Sequence, residues 1–169
     1  MGNERKCGYA YADLRVGLAF RSPGRTITEA DIVAFAGLTG DYSELHTSEV
    51  YAKASPFGRR VAHGMLGLAY AHGLMWPRTG ELRETAVAFL GIEDWKFVGP
   101  IFVGDTIFVS YRIAELRDSK SRPTQAIATF DVEVENQDGK VVQRGRKVLL
   151  VSKVPLGGVE ASKGSAPRA

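Results

Sequence analysis

The sequence predicts an α+β domain in which one antiparallel sheet wraps round a single apolar helix. Three features predict it. The first half carries helical periodicity, the second half alternates as strands, and MLGLAYAHGLMW, residues 65–76, is apolar on nearly every side. A helix of that last kind is buried all round, and a sheet with one apolar face needs such a helix to cover it.

The elements follow in order. Thr28-x-x-Asp31 reads as a capping-box start, and Ile32, Phe35, Ala36 and Leu38 then make one apolar face before Gly40 stops the helix. Thr47 or Ser48 caps a second short helix, which runs through about Ala54 and ends at Ser55-Pro56. The third, apolar helix starts near His63-Gly64. Residues 85–97 read as a strand, and Ile107, Val109, Tyr111 and Ile113 alternate as another. Ala126, Ala128, Phe130, Val132 and Val134 alternate against Thr129, Asp131, Glu133 and Glu135 in a third strand, and Asp138-Gly139 sits where a tight hairpin turn wants it. The last strand, residues 141–151, places Arg144, Arg146 and Lys147 on partly solvated positions. One domain is expected over residues 10–155. A tail of small and polar residues, 156–169, cannot bury enough surface to order itself.

Composition sets limits on function. A chain of 169 residues with 44% hydrophobic and 24% charged residues is long enough for one core. No segment approaches the roughly 18 apolar residues of a membrane span, and the first twenty residues hold no signal-like apolar run, so a chain used whole in the cytoplasm is expected. A lone cysteine, Cys7, excludes an internal disulfide and a multi-cysteine metal cluster; near an unpatterned terminus it reads as a bystander. The net charge is +3, but the basic residues are scattered singly or in pairs. That pattern excludes a nucleic-acid interface and suits an anionic small ligand. His72, inside the apolar helix, reads as a hydrogen-bonded core residue, and no second ligand stands at helical spacing from it to make a metal site. Trp76 and Trp95 read as core.

The chemistry is concentrated in GDYSELH, residues 40–46. A lone aspartate in a Gly-Asp turn is ordinarily a turn former, and a lone histidine before a helix is ordinarily structural. The wider text changes that weighting. GDYSELH, then TSEVYAKASPFGRRVAHGML, then FVGPIFVGDT resemble, in order and spacing over residues 26–151, the MaoC-like dehydratases. That hotdog-fold family includes the (R)-specific enoyl-CoA hydratases, and its motif reads approximately G-D-x-N-P-x-H, followed by an A-H-G-M stretch.

The resemblance implies a hydro-lyase that interconverts a 2-enoyl thioester and its (R)-3-hydroxyacyl thioester, with coenzyme A as the expected carrier, acyl carrier protein as the alternative, and no further cofactor or metal. Asp41 and His46 become the carboxylate and imidazole that hold and activate one water, their division into acid and base left open. The Gly64 N–H, with Met65 as neighbouring candidate, would receive the thioester oxygen at a helix N-terminus. His63 would order the helix entry and, like Ser43, is a candidate for substrate contact. Arg59 and Arg60 read either as a solvated loop or as contacts to coenzyme A phosphates. Ser43 and Glu44 stand where the motif has Asn-Pro; serine is shorter and lacks the amide donor, and Glu44 is expected to face solvent. A homodimer, or a dimer of dimers, with acyl pockets near the subunit boundary is also implied. Two other readings remain open: an acyl-CoA thioesterase, since hotdog proteins include such enzymes, and a non-catalytic acyl-thioester binder.

Overall fold

The computed structural model describes residues 8–156. Cys7 and the tail beyond Leu156 lie outside them. Five helices and six strands follow a single 3-10 turn at Tyr11–Asp13. They are β1 (Ala19–Arg21), β2 (Arg25–Thr26), α1 (Glu29–Thr39), α2 (Glu44–Thr47), α3 (Glu49–Ala54), α4 (Gly64–Leu74), α5 (Trp76–Thr79), β3 (Ala86–Phe97), β4 (Thr106–Asp118), β5 (Gln125–Glu135) and β6 (Val141–Ser152).

The strands form one antiparallel sheet in the order β1-β4-β5-β6-β3, with β2 also on β4. The two short strands continue one another along the same edge of β4, joined by buried Ser22, whose Oγ accepts the Val109 N–H at 2.9 Å. The β5–β6 hairpin turns at Asp138-Gly139, where Gly139 has φ +73°. The sheet closes on α4. Leu66, Ala71 and Leu74 of the helix join Val109, Tyr111, Ile113, Phe130 and Leu149 of the strands in one core cluster, each fully buried large side chain contributing about 2 kcal/mol. Gly67 lets the helix lie that close. A methyl group there would stand 2.3 Å from Gln143 Nε2 and 2.7 Å from Ile101 Cδ1.

Helix α1 begins as its cap predicts, with the Thr28 N–H donating to the Asp31 carboxylate at 2.7 Å, and ends at Gly40 in the left-handed region. Asp31 also ties α1 to α4. It accepts from Tyr70 Oη at 2.7 Å and from Arg25 at 2.8 Å, while the Arg25 guanidinium lies 3.9 Å from the Tyr70 ring centre. Burial alone would raise the Asp31 pKa, but the bonds from Tyr70, Thr28 and Arg25 outweigh it and hold the group at about 2.

Several expectations need correction. The apolar helix is not continuous to Trp76: it stops at Leu74, and α5 starts anew because Pro77 has no N–H for the Gly73 carbonyl. Nor is it buried all round, since Met65 is 56% exposed in its first turn. His72 is half-buried and packs edge-on against Trp76 and Phe89. Leu38 is exposed, whereas Ile32 and Ala36 carry the buried face of α1. Lys147 is fully buried. On β6 the positions Gln143, Gly145, Lys147, Leu149 and Val151 alternate, and this register turns Lys147 towards α4 with its cross-strand partner Phe130.

Candidate active site

Gly40 ends α1 and swings the chain so that Asp41 stands exposed at a turn. The Asp41 carboxylate accepts the Ser43 N–H at 3.2 Å, an Asx turn that starts α2. That helical turn, which sequence periodicity did not reveal, carries His46 in its third position. Ser48 then caps α3 by accepting the Tyr51 N–H at 3.2 Å. Ser43 and Glu44 are both exposed at the start of α2.

The segment before α4 is extended. Val61 bridges Phe102, and the Ala62 N–H donates to the Ile101 carbonyl at 2.7 Å. It presents the Val61 carbonyl to His46 Nδ1 at 2.7 Å. A carbonyl only accepts, so Nδ1 carries the proton and Nε2 of the neutral ring offers its lone pair. His63 is 2% exposed and bonds the Asp41 carbonyl through Nε2 at 2.9 Å. By the same reasoning that nitrogen is the protonated one, and the buried Nδ1 has no hydrogen-bond partner among the described residues. The two imidazole rings lie 3.9 Å apart, tilted by 31°, with Phe35 behind His63. His63 sits at the entry of α4 without capping it through its side chain; what it holds is the Asp41 backbone. One ligand atom each from Asp41, His46 and His63 lies within 4.8 Å of the others, a span that one water crosses with two hydrogen bonds.

At the start of α4 the Leu66 and Gly67 N–H groups both bond to the His63 carbonyl, and Gly64 and Met65 precede them with outward-pointing amides. Gly64 borders a cleft of about 360 Å³, with His46 on the same wall, apolar sides from Phe57, Phe97 and Ile101, and Gln143 at its base. Gln143 is 1% exposed; its Nε2 donates to the Gly64 carbonyl at 3.0 Å, and Trp95 Nε1 donates to its Oε1 at 3.3 Å. Sequence reading missed this residue, although a glutamine directly after Val141 and Val142 in a strand was a visible signal. Phe97 fixes the space over Gly64, where a methyl group would be 3.0 Å from its ring.

Of the remaining candidates, Arg60 is occupied within the chain. It forms a two-point pair with Glu29 at 2.6 and 2.8 Å and a bond to Glu49 at 3.1 Å. Arg59 is exposed, its guanidinium 3.9 Å from the Phe102 ring centre. Met65 turns its side chain to solvent.

A larger depression of about 980 Å³ lies on the outer face of the sheet, away from Asp41, His46 and Gly64. Its charges largely neutralise one another, as in Arg112–Asp131 at 2.7 Å and Arg146–Asp131 at 3.1 Å. The smaller cleft is the one that His46 and Gly64 line.

The sequence matches the family model described as MaoC like domain over residues 15–136. It is 38% identical over 99 residues to Protein MaoC of Klebsiella aerogenes, covering 59% of this chain but only 29% of that protein's length. It is 30% identical over 141 residues to an (R)-specific enoyl-CoA hydratase of Rhodospirillum rubrum, covering 83% of this chain and 90% of the relative. A solved structure, the MaoC-like dehydratase from Rhodospirillum rubrum, superposes with a TM-score of 0.77 at 33% identity, over 88% of this chain and all of that one. With its sheet wrapped round α4 in the hotdog manner, the chain belongs to the MaoC-like dehydratase family.

Proposed function

We propose that the protein reversibly hydrates a 2-enoyl-CoA to the (R)-3-hydroxyacyl-CoA, with no metal and no cofactor beyond the coenzyme A of its substrate. The observation that carries this reading is the convergence of the Asp41 carboxylate and a His46 ring whose Nδ1 is committed to Val61, at the rim of a cleft that Gly64 borders. The names of the similar hydratases support it.

In this reading the thioester oxygen lies against the Gly64 N–H, where negative charge develops as the double bond is polarised. One water sits between Asp41 and His46. As its oxygen bonds to C3, Nε2 of His46 takes a proton, and the imidazolium so formed returns a proton to C2 on the same face. In net, one C–O bond and one C–H bond form while one O–H bond of the water and the π bond between C2 and C3 break. The Asp41 carboxylate accepts a hydrogen bond from the water's other O–H, which stays with the product as its hydroxyl, and so orients the water. Both deliveries from one side make the addition syn, and the positions of Gly64 and His46 select one face of the enoyl plane. Arg59 is the cation left to meet coenzyme A phosphates. Incubation with crotonyl-CoA should bleach the enoyl absorbance without releasing thiol, and the product should be oxidised by an (R)-specific dehydrogenase. Release of free thiol would make the protein a thioesterase; an (S) product would overturn the pocket orientation.

Assembly as a homodimer belongs to the same proposal. Strand β3 is an edge of twelve residues bonded on one side to β6, with Val87, Phe89, Leu90, Ile92 and Phe97 between 39% and 53% exposed. Long apolar edges of this kind are protected by pairing. Light scattering should give a mass of twice 18.4 kDa or a multiple of it; a monomer at working concentration would contradict the assignment.

A further inference from the structure

Lys147 is a buried charged group that the hydration chemistry leaves unused. Its residue is fully buried, and its Nζ has no hydrogen-bond partner among the described residues. The Trp95 ring centre lies 5.3 Å from Nζ, and His72 on α4 is held below its usual pKa by burial first and by the Lys147 charge second. Its neighbours on the same face of β6 are Gly145 and Leu149, and its cross-strand partners are Phe130 and Ile92. The carboxylates nearest in register, Asp131 and Glu93, both stand opposite Arg146 rather than Lys147, and Asp131 is spent on Arg112 and Arg146 on the outer face. An ammonium in such a place is costly unless an anion joins it.

The lining of the cleft ends at Gln143, and Trp95, His72 and Lys147 lie beyond it. Gln143 lines the cleft and bonds the Gly64 carbonyl. Trp95 runs from Gln143, through its Nε1 bond, across Gly145, where a methyl group would meet its Cε3 at 2.8 Å, to Lys147. Two rulers give the length. Four residues of β6 from Gln143 to Lys147 span about 13 Å, and eight residues of α4 from Gly64 to His72 rise about 12 Å. The long lysine side chain, and a His72 ring that leans towards the helix N-terminus, occupy part of that span. An acyl chain held at Gly64 and extending a few carbons beyond its double bond would end beside Trp95, His72 and Lys147.

From this placement we infer that Lys147, with His72, forms the far end of the acyl site and selects thioesters whose acyl group ends in a carboxylate. The inference rests on the placement of the thioester at Gly64 proposed above. The distal carboxylate slides past Trp95 and supplies the anion that the fold withholds from Lys147. Burial pushes the free lysine down to about 7; a carboxylate beside it would restore the charged form.

Binding of non-reactive saturated thioesters tests this without turnover. Calorimetry should show hexanedioyl-CoA binding about tenfold or more tighter than hexanoyl-CoA, the range of a charge-assisted hydrogen bond in a dry site. In Lys147→Met the preference should invert. If that variant does not fold, His72→Phe, at a half-exposed position, carries the same test and should weaken the preference. Equal binding of the two thioesters by the wild type, or a preference that survives Lys147→Met, overturns the inference. So does a crystal structure of the assembled protein with a partner's carboxylate on Lys147 Nζ. A carboxylate preference in a protein that hydrates no enoyl-CoA would sink the hydratase reading and leave this site standing; hydration of crotonyl-CoA with no preference would do the reverse.

Discussion

Replacing His46 with asparagine is expected to lower kcat by about 100-fold or more, the usual scale for a lost general acid or base. Asparagine is the sharper choice than alanine because its amide can still donate to the Val61 carbonyl, which His46 Nδ1 now does at 2.7 Å. What it removes is Nε2. Asp41→Asn should cost a similar factor while keeping the oxygen that accepts the Ser43 N–H at 3.2 Å, so the turn into α2 survives. Because both side chains hold one water, the double variant should be little worse than either single one. Stopped-flow hydration of crotonyl-CoA, with circular dichroism to confirm the fold, decides the matter. A variant lacking either group but turning over at the wild-type rate would remove that residue from the mechanism.

Gly64→Pro should be the more telling substitution at the thioester oxygen, since it deletes a backbone donor that ordinary side-chain changes cannot reach. Proline is tolerated at the first position of a helix, and His63 before it already has φ −56° and ψ 133°, the extended conformation that a following proline requires. The control is Gly64→Ala. It keeps the N–H but brings a methyl group to 3.0 Å from the Phe97 ring, a half-exposed side chain that can shift by the few tenths of an ångström needed. Alanine should cost less than about tenfold, and proline about 100-fold more in kcat than alanine, near 3 kcal/mol of barrier. Equal rates for the two variants would show that the amide does not carry the oxyanion.

Much of this architecture was legible because local rules specify it. The Thr28–Asp31 cap, the Gly40 stop, the Asp138-Gly139 turn and the alternation of β4 and β5 each depend on a few neighbouring residues, and each appears where the pattern placed it. The turn α2 escaped because four residues carry no periodicity. Lys147 misled for a different reason: a charged residue in a strand is ordinarily turned outward, and only the pairing with Phe130 and Ile92 reveals the inward register. Asp41, His46 and Gly64 were visible as a motif. The contacts that hold them were not, since His63 to the Asp41 carbonyl, His46 to the Val61 carbonyl and Gln143 to the Gly64 carbonyl span 22, 15 and 79 residues. Such bonds are products of the fold and leave no spacing to read.

Phe97 closes β3 and also walls the cleft above Gly64. One strand therefore belongs both to the unpaired edge and to the chemistry. If the edge is covered by a second copy, Phe97 is clamped and the space over the thioester acquires a fixed ceiling; when the copies separate, the ring is released and the ceiling loosens. Catalytic capacity then obeys mass action in the protein itself. Dilution would silence molecules that remain folded and retain every catalytic group, and specific activity would rise with enzyme concentration until all edges are occupied.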